Sequence, residues 1–167
     1  EKVAEDVSGI RLDWFFEQLT NTTRRLDYSV ESVASFRKGE GWASTILLKR
    51  NDSMVMPADV KLILEDGSEK YVSVPLGIMQ GSKPVPEDWF VAPAWNWTFP
   101  EYQLVVDTES RVASAEIDPY WRTPDRNRLN NTSSFPYEAK LFDPLQPSWG
   151  KYSIGYRPFV DYAFSHG

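Results

Sequence analysis

Apolar residues recur at helical spacing over the first nineteen positions and at every second position over much of the chain that follows. Val3, Val7, Ile10, Trp14 and Phe15 form one stripe, which predicts an amphipathic helix from Glu1 to about Leu19. Ser8-Gly9 interrupts it, and Gly9 is placed to end one helix as Ile10 to Leu19 begins a second. Trp14, Phe15 and Phe16 are consecutive, so they cannot all face one side. At least one of them is expected to meet a partner beyond its own helix.

From Leu26 the period becomes two. Leu26, Tyr28 and Val30 alternate with polar residues, as do Ser44, Ile46 and Leu48, then Tyr102, Leu104 and Val106, then Ala113, Ala115 and Ile117. Ala58 to Leu64 and Tyr71 to Leu76 flank Asp66-Gly67, a strong hairpin signal. A three-residue loop, Glu65-Asp66-Gly67, pairs Val60 with Val72 and Ala58 with Val74, and gathers Val60, Leu62, Val72 and Val74 on one face. A strict two-residue turn would pair Leu62 with Tyr71 and turn both valines outward, so the core favours the longer loop. At least six short strands predict a mostly β chain: an antiparallel β-sandwich of immunoglobulin-like type over residues 26–120, preceded by the helix in 1–25.

Two stretches break the alternation. Gly77 to Pro100 is irregular and rich in proline, with Trp89, Phe90, Trp95, Trp97 and Phe99 clustered just before Tyr102. Loops this long inside a compact domain are uncommon and often functional. Their rings either fold inward as a plug or present faces that stack on sugars or peptides. The prolines favour the plug. Asp118 to Asn131 is polar and arginine-rich and reads as a connector, after which Tyr137 to Leu141 and Lys151 to Phe164 resume alternation as a β tail. Residues 121–167 are thus expected to lead toward a further C-terminal region.

Composition narrows the functional classes. Net charge is −6 and no basic run follows a phosphate backbone, so nucleic-acid binding is not expected. Cysteine is absent, which removes disulfides and thiol catalysis. No stretch approaches 18 apolar residues, so no transmembrane helix is expected. Seven Trp, eight Tyr and nine Phe give apolar area enough for a core without staples. Five Asn-x-Ser/Thr triplets, at Asn21, Asn51, Asn96, Asn130 and Asn131, would carry glycans only in a eukaryotic secretory protein.

Catalytic chemistry finds little footing. The single histidine, His166, cannot supply a His-Glu-x-x-His zinc helix, and as a triad base it would have to act from the chain's end. Glu65 and Asp66, Glu87 and Asp88, and Glu116 and Asp118 are acid pairs of the type a glycosidase uses, but nothing fixes their spacing. Solvated turn and strand-edge acids are the simpler reading. No catalytic and no metal-ligating residue is expected in this segment, and no cofactor.

The order of several short motifs carries a family resemblance. Ser8-Gly9-Ile10-Arg11-Leu12-Asp13-Trp14-Phe15-Phe16-Glu17-Gln18 resembles the closing helix of the catalytic domain in membrane-alanyl-type zinc aminopeptidases. Met56-Pro57-Ala58-Asp59-Val60-Lys61, Pro75-Leu76, Met79-Gln80-Gly81, Trp95-Asn96-Trp97-Thr98-Phe99-Pro100-Glu101-Tyr102 and Glu116-Ile117-Asp118-Pro119 are similar to segments of bacterial members. The resemblance spans roughly residues 3 to 131. It implies a parent protein that removes N-terminal residues from peptides with zinc. Within that parent, this segment is an accessory β-sandwich contacting the catalytic domain of the same polypeptide through Trp14, Phe15 and Phe16. A bacterial periplasmic or cell-surface location is implied, with a cytoplasmic one as the alternative. The rival reading, from the residues alone, is a carbohydrate- or peptide-binding module acting through Trp89, Trp95, Trp97, Phe99 and Tyr102.

Overall fold

The computed structural model describes residues 2–80 and 83–134. The expected β tail and His166 lie outside the described residues. Two short helices, α1 (Lys2–Ser8) and α2 (Asp13–Asn21), precede seven strands: β1 (Tyr28–Lys38), β2 (Gly41–Arg50), β3 (Ala58–Leu64), β4 (Glu69–Val74), β5 (Phe90–Val91), β6 (Glu101–Thr108) and β7 (Val112–Ile117). The chain is mostly β, as its alternation predicts. Gly9 divides the helices with a φ of +68°, a conformation open to glycine at little cost.

The strands form two sheets, ordered β1-β2-β6 and β5-β4-β3-β7. Their inward residues share one core. Ile46 and Leu48 of β2 and Leu104 of β6 meet Val60 and Leu62 of β3 and Val74 of β4, all fully buried. The arrangement is sandwich-like. β1 carries a bulge, because Val30 faces Leu48 while Ser32 already faces Leu47, leaving Glu31 as the extra residue.

The second sheet is mixed, which corrects the expectation of wholly antiparallel strands. β5 runs parallel to β4, with Val72 beside Phe90 and Ser73 beside Val91. A parallel pair needs a long crossover, and the irregular stretch between Val74 and Phe90 supplies it. The proline-rich segment that suggests only a loop in sequence therefore returns the chain to the same sheet edge.

The hairpin register agrees with the sequence argument: Val60 pairs with Val72 and Ala58 with Val74. Leu64 N–H donates to Ser68 O at 2.9 Å, closing the loop Glu65-Asp66-Gly67, and Gly67 has a φ of +83°. A Cβ at Gly67 would meet nothing within 4 Å, so any cost of substitution is backbone strain rather than collision. Gly67→Val should lower unfolding free energy by about 1 kcal/mol or more, and Gly67→Asn by clearly less, since asparagine tolerates positive φ. Equal losses for the two in urea titrations would show that side-chain packing, not φ, sets the effect.

The stretch after β7 is tied to the sandwich over residues 121–134. Val30 N–H donates to Asn130 O (2.9 Å), Ile117 N–H to Asn131 O (2.8 Å) and Tyr28 N–H to the Asp125 carboxylate (2.9 Å). Residues 121–134, read as a connector from their polarity, are therefore an edge of the folded unit. Both backbone carbonyls and polar side chains of this stretch make the ties, so its polarity serves the fold.

Candidate functional site

Trp95 is the centre of the plug. Its ring is 2% exposed and lies between Tyr28 (centroids 5.3 Å apart) and Tyr102 (5.4 Å). Its indole N–H donates to Phe99 O at 3.0 Å, and the Tyr102 hydroxyl donates to Pro93 O at 2.6 Å. Tyr28 anchors the opposite side: its hydroxyl donates to Met56 O (2.7 Å) and accepts from Met56 N–H (2.8 Å). Burial pushes its pKa up to about 12 against the opposing bond to Met56. Trp97 and Phe99, grouped with Trp95 by sequence, face solvent instead.

Trp89, the fifth of the aromatic residues singled out in sequence, belongs to a different site. Parallel pairing of Val72 with Phe90 brings the preceding residues, Tyr71 and Trp89, side by side. Their rings are 5.2 Å apart and 13° from parallel. Tyr120 joins them from beyond β7, 6.0 Å from Tyr71 and 6.3 Å from Trp89, with its plane within 14° of both. The Tyr71 hydroxyl donates to Glu69 at 2.8 Å, and that bond, followed by the neighbouring Tyr120 hydroxyl, raises its pKa.

Cations border these rings. The Lys83 ammonium sits 5.9 Å from the Trp89 ring centre and pairs with the Asp59 carboxylate at 2.6 Å. The Arg122 guanidinium sits 4.8 Å from the Tyr120 ring centre and makes no ion pair among the described residues. Lys83, Trp89, Tyr120 and Arg122, with Pro84 and Pro86, line a cleft of about 330 Å³. A larger hollow of about 490 Å³ lies between β1 and residues 129–133, but half of its lining is Ser, Thr and Asn and it holds no ring.

Asp118 fixes the approach of Tyr120 and Arg122. Its φ is +50°, and its carboxylate accepts from Arg122 N–H (2.8 Å), Thr123 N–H (2.8 Å), the Thr123 hydroxyl (2.6 Å) and Arg128 (3.3 Å). Burial works to raise its pKa, yet these donors together hold it below the ordinary carboxylate value. Its own N–H donates to Asp59 O at 2.8 Å, so the turn and the Lys83 partner are joined.

At the other end, α2 is clamped by one side chain. Gln18 is 4% exposed; its amide N–H₂ donates to Val55 O (3.2 Å) while its oxygen accepts from Val55 N–H (2.8 Å). Trp14 and Phe15 pack against the core as partly buried rings, and Phe16 meets Phe15 edge-on at 5.5 Å. Val3, Val7 and Leu19 are exposed by 76%, 84% and 56%.

Three of the six paired acids have local side-chain partners. Glu65 meets Arg111 at 3.2 Å, Asp66 accepts from Ser68 within the hairpin loop, and Asp118 serves its turn. Among the described residues, no three His, Cys, Asp or Glu side chains come together as a metal-binding group. No family model, curated protein or solved structure matches the chain.

Sequence reasoning names Trp89 but misses Tyr71, Tyr120, Lys83 and Arg122. Tyr71 carries one usable signal, an outward parity between inward Leu62-facing and Val72 positions of the hairpin. Its two ring neighbours arrive through a parallel pairing and a post-strand turn, neither of which leaves a periodic trace.

Proposed function

We propose that this chain is a non-catalytic, interdomain β-sandwich module of a zinc aminopeptidase-like protein. The peptide substrate and the zinc are assigned to the remainder of that polypeptide, since this sequence carries one histidine and no His-Glu-x-x-His spacing. The observation that carries the reading is the two-sided character of the helices. Trp14 and Phe15 pack onto the sandwich, while Val3, Val7 and Leu19 present apolar surface away from it. The resemblance of residues 8–18 to the helix that closes the catalytic domain of those enzymes supplies the occupant of that surface. The sandwich is proposed to be of immunoglobulin-like type, supported by seven short strands in two sheets. A periplasmic or cell-surface address follows from the same resemblance.

The test is a two-piece expression of the parent. The catalytic portion and this chain, produced as separate polypeptides, should co-purify. Val7→Asp combined with Leu19→Asp should weaken that association at least tenfold, while Val105→Asp, on the exposed side of β6, should leave it intact. Association insensitive to the helix pair, or none at all, would refute the interdomain role.

A further inference from the structure

The three parallel rings beside Lys83 and Arg122 are not arranged as a column. Stacked rings lie about 3.5 Å apart, so three successive levels would separate the outer pair by at least about 7 Å. The largest separation here is 6.3 Å, between Trp89 and Tyr120. At least two rings are therefore laterally offset from each other rather than stacked face on face. Trp89 and Tyr120, the most widely separated pair, both line the cleft, and Tyr71 is not among its lining residues. The cleft is thus bordered by two nearly parallel rings, Trp89 and Tyr120, with Tyr71 packed against both outside its lining.

Around those two rings the chemistry is mixed in a specific way. Lys83 lines the cleft and is held in place from behind by Asp59 at 2.6 Å, which fixes an ammonium donor beside the rings. Arg122 brings a fork of N–H donors with no carboxylate partner among the described residues, beside Tyr120. Pro84 and Pro86 form a stiff wall. The volume, about 330 Å³, falls at the small end of ligand sites.

We propose that this cleft binds a carboxylate-bearing saccharide unit, its ring lying on Trp89 and Tyr120 and its carboxylate taken by Arg122. A pyranose offers a flat face of weakly positive C–H groups, the complement of the negative faces of aromatic rings. Its hydroxyls can accept from the Lys83 ammonium, and a uronic acid adds the planar anion that a guanidinium grips through two N–H groups. A proline-rich peptide fits less well. Its rings insert between aromatic ridges, and the separations of 5.2 to 6.3 Å between these rings leave no slot. This site is independent of the interdomain reading, since it stands beside β4 and β5 of the second sheet, with Tyr120 and Arg122 reaching it from the turn after β7.

Calorimetric titration of the full chain with tetragalacturonate, a neutral tetrasaccharide and a glutamate-rich peptide tests it. Tetragalacturonate should bind with a Kd of about 1 mM or tighter and at least fivefold above the neutral sugar. Trp89→Ala and Tyr120→Ala should each weaken it tenfold or more. Arg122→Gln, a surface change that leaves both rings in place, should bring acidic and neutral sugars to parity, and Trp97→Ala should change nothing. Absence of saccharide binding, an unchanged acid preference in Arg122→Gln, or a peptide that binds as tightly as tetragalacturonate would each overturn the proposal.

Discussion

Asp118→Ala should lower the unfolding free energy by about 3 kcal/mol at neutral pH, with Asp118→Asn costing roughly half as much. The carboxylate side chain is 6% exposed and is the common acceptor for Arg122, Thr123 and Arg128. Removing it leaves two backbone N–H groups and a guanidinium without their partner, and orphaned groups of this kind cost about 1–3 kcal/mol each when buried. Arg128 keeps 25% side-chain exposure and regains water, which holds the total near the lower end. Asparagine retains an acceptor oxygen and tolerates the positive φ, hence the smaller loss. The pH dependence has a definite sign. The folded-state pKa of Asp118 is depressed below its ordinary 3.8, so its stabilisation is complete above that value and disappears as pH falls through the folded-state pKa. The gap between wild type and Asp118→Asn in urea titrations should therefore be constant from neutrality to about pH 5 and shrink below about pH 4. A gap that does not change with pH would mean that the charge plays no part.

Gln18→Leu should cost about 2–4 kcal/mol and release α2 from the sandwich. Both Val55 backbone groups pair with this one amide, and Val55 is itself buried. Leucine keeps the volume but satisfies neither group, so the loss measures the hydrogen bonds rather than packing. Released α2 should be cut early by protease, between Asp13 and Arg25, while the strands stay protected. Wild-type stability in Gln18→Leu would show that Trp14 and Phe15 alone hold the helix.

These two residues also show where the sequence speaks and where it does not. The hairpin is legible because two independent constraints, the valine parity and the left-handed glycine, select one register, and Gly67 adopts the conformation that this register requires. The break at Gly9 is legible for the same reason: a local signal coincides with a change of pattern. Gln18 is silent, since a glutamine in an amphipathic helix reads as solvent-facing and only the distant Val55 makes it a core residue. Asp118 is silent as an organiser because its partners lie within a polar stretch that resembles a connector. The ring cluster is half legible. Trp89 stands out by composition, but Tyr71 and Tyr120 come to it through sheet order, which periodicity does not encode. Trp95 and Trp97 carry the same chemistry two positions apart, and only the fold decides that one is buried and the other wet.

A second molecule seeking to lengthen the three-stranded sheet past β1 would find little to grip. The amide of Val30 is already taken by Asn130, the extra Glu31 throws the next residues out of line, and Arg37 and Lys38 bring positive charge to the far end. Open strand margins invite fibrous self-association, and each of these devices discourages it. Deleting Glu31 to straighten the strand, while neutralising Arg37 and Lys38, is thus the change by which this protein would become prone to aggregate.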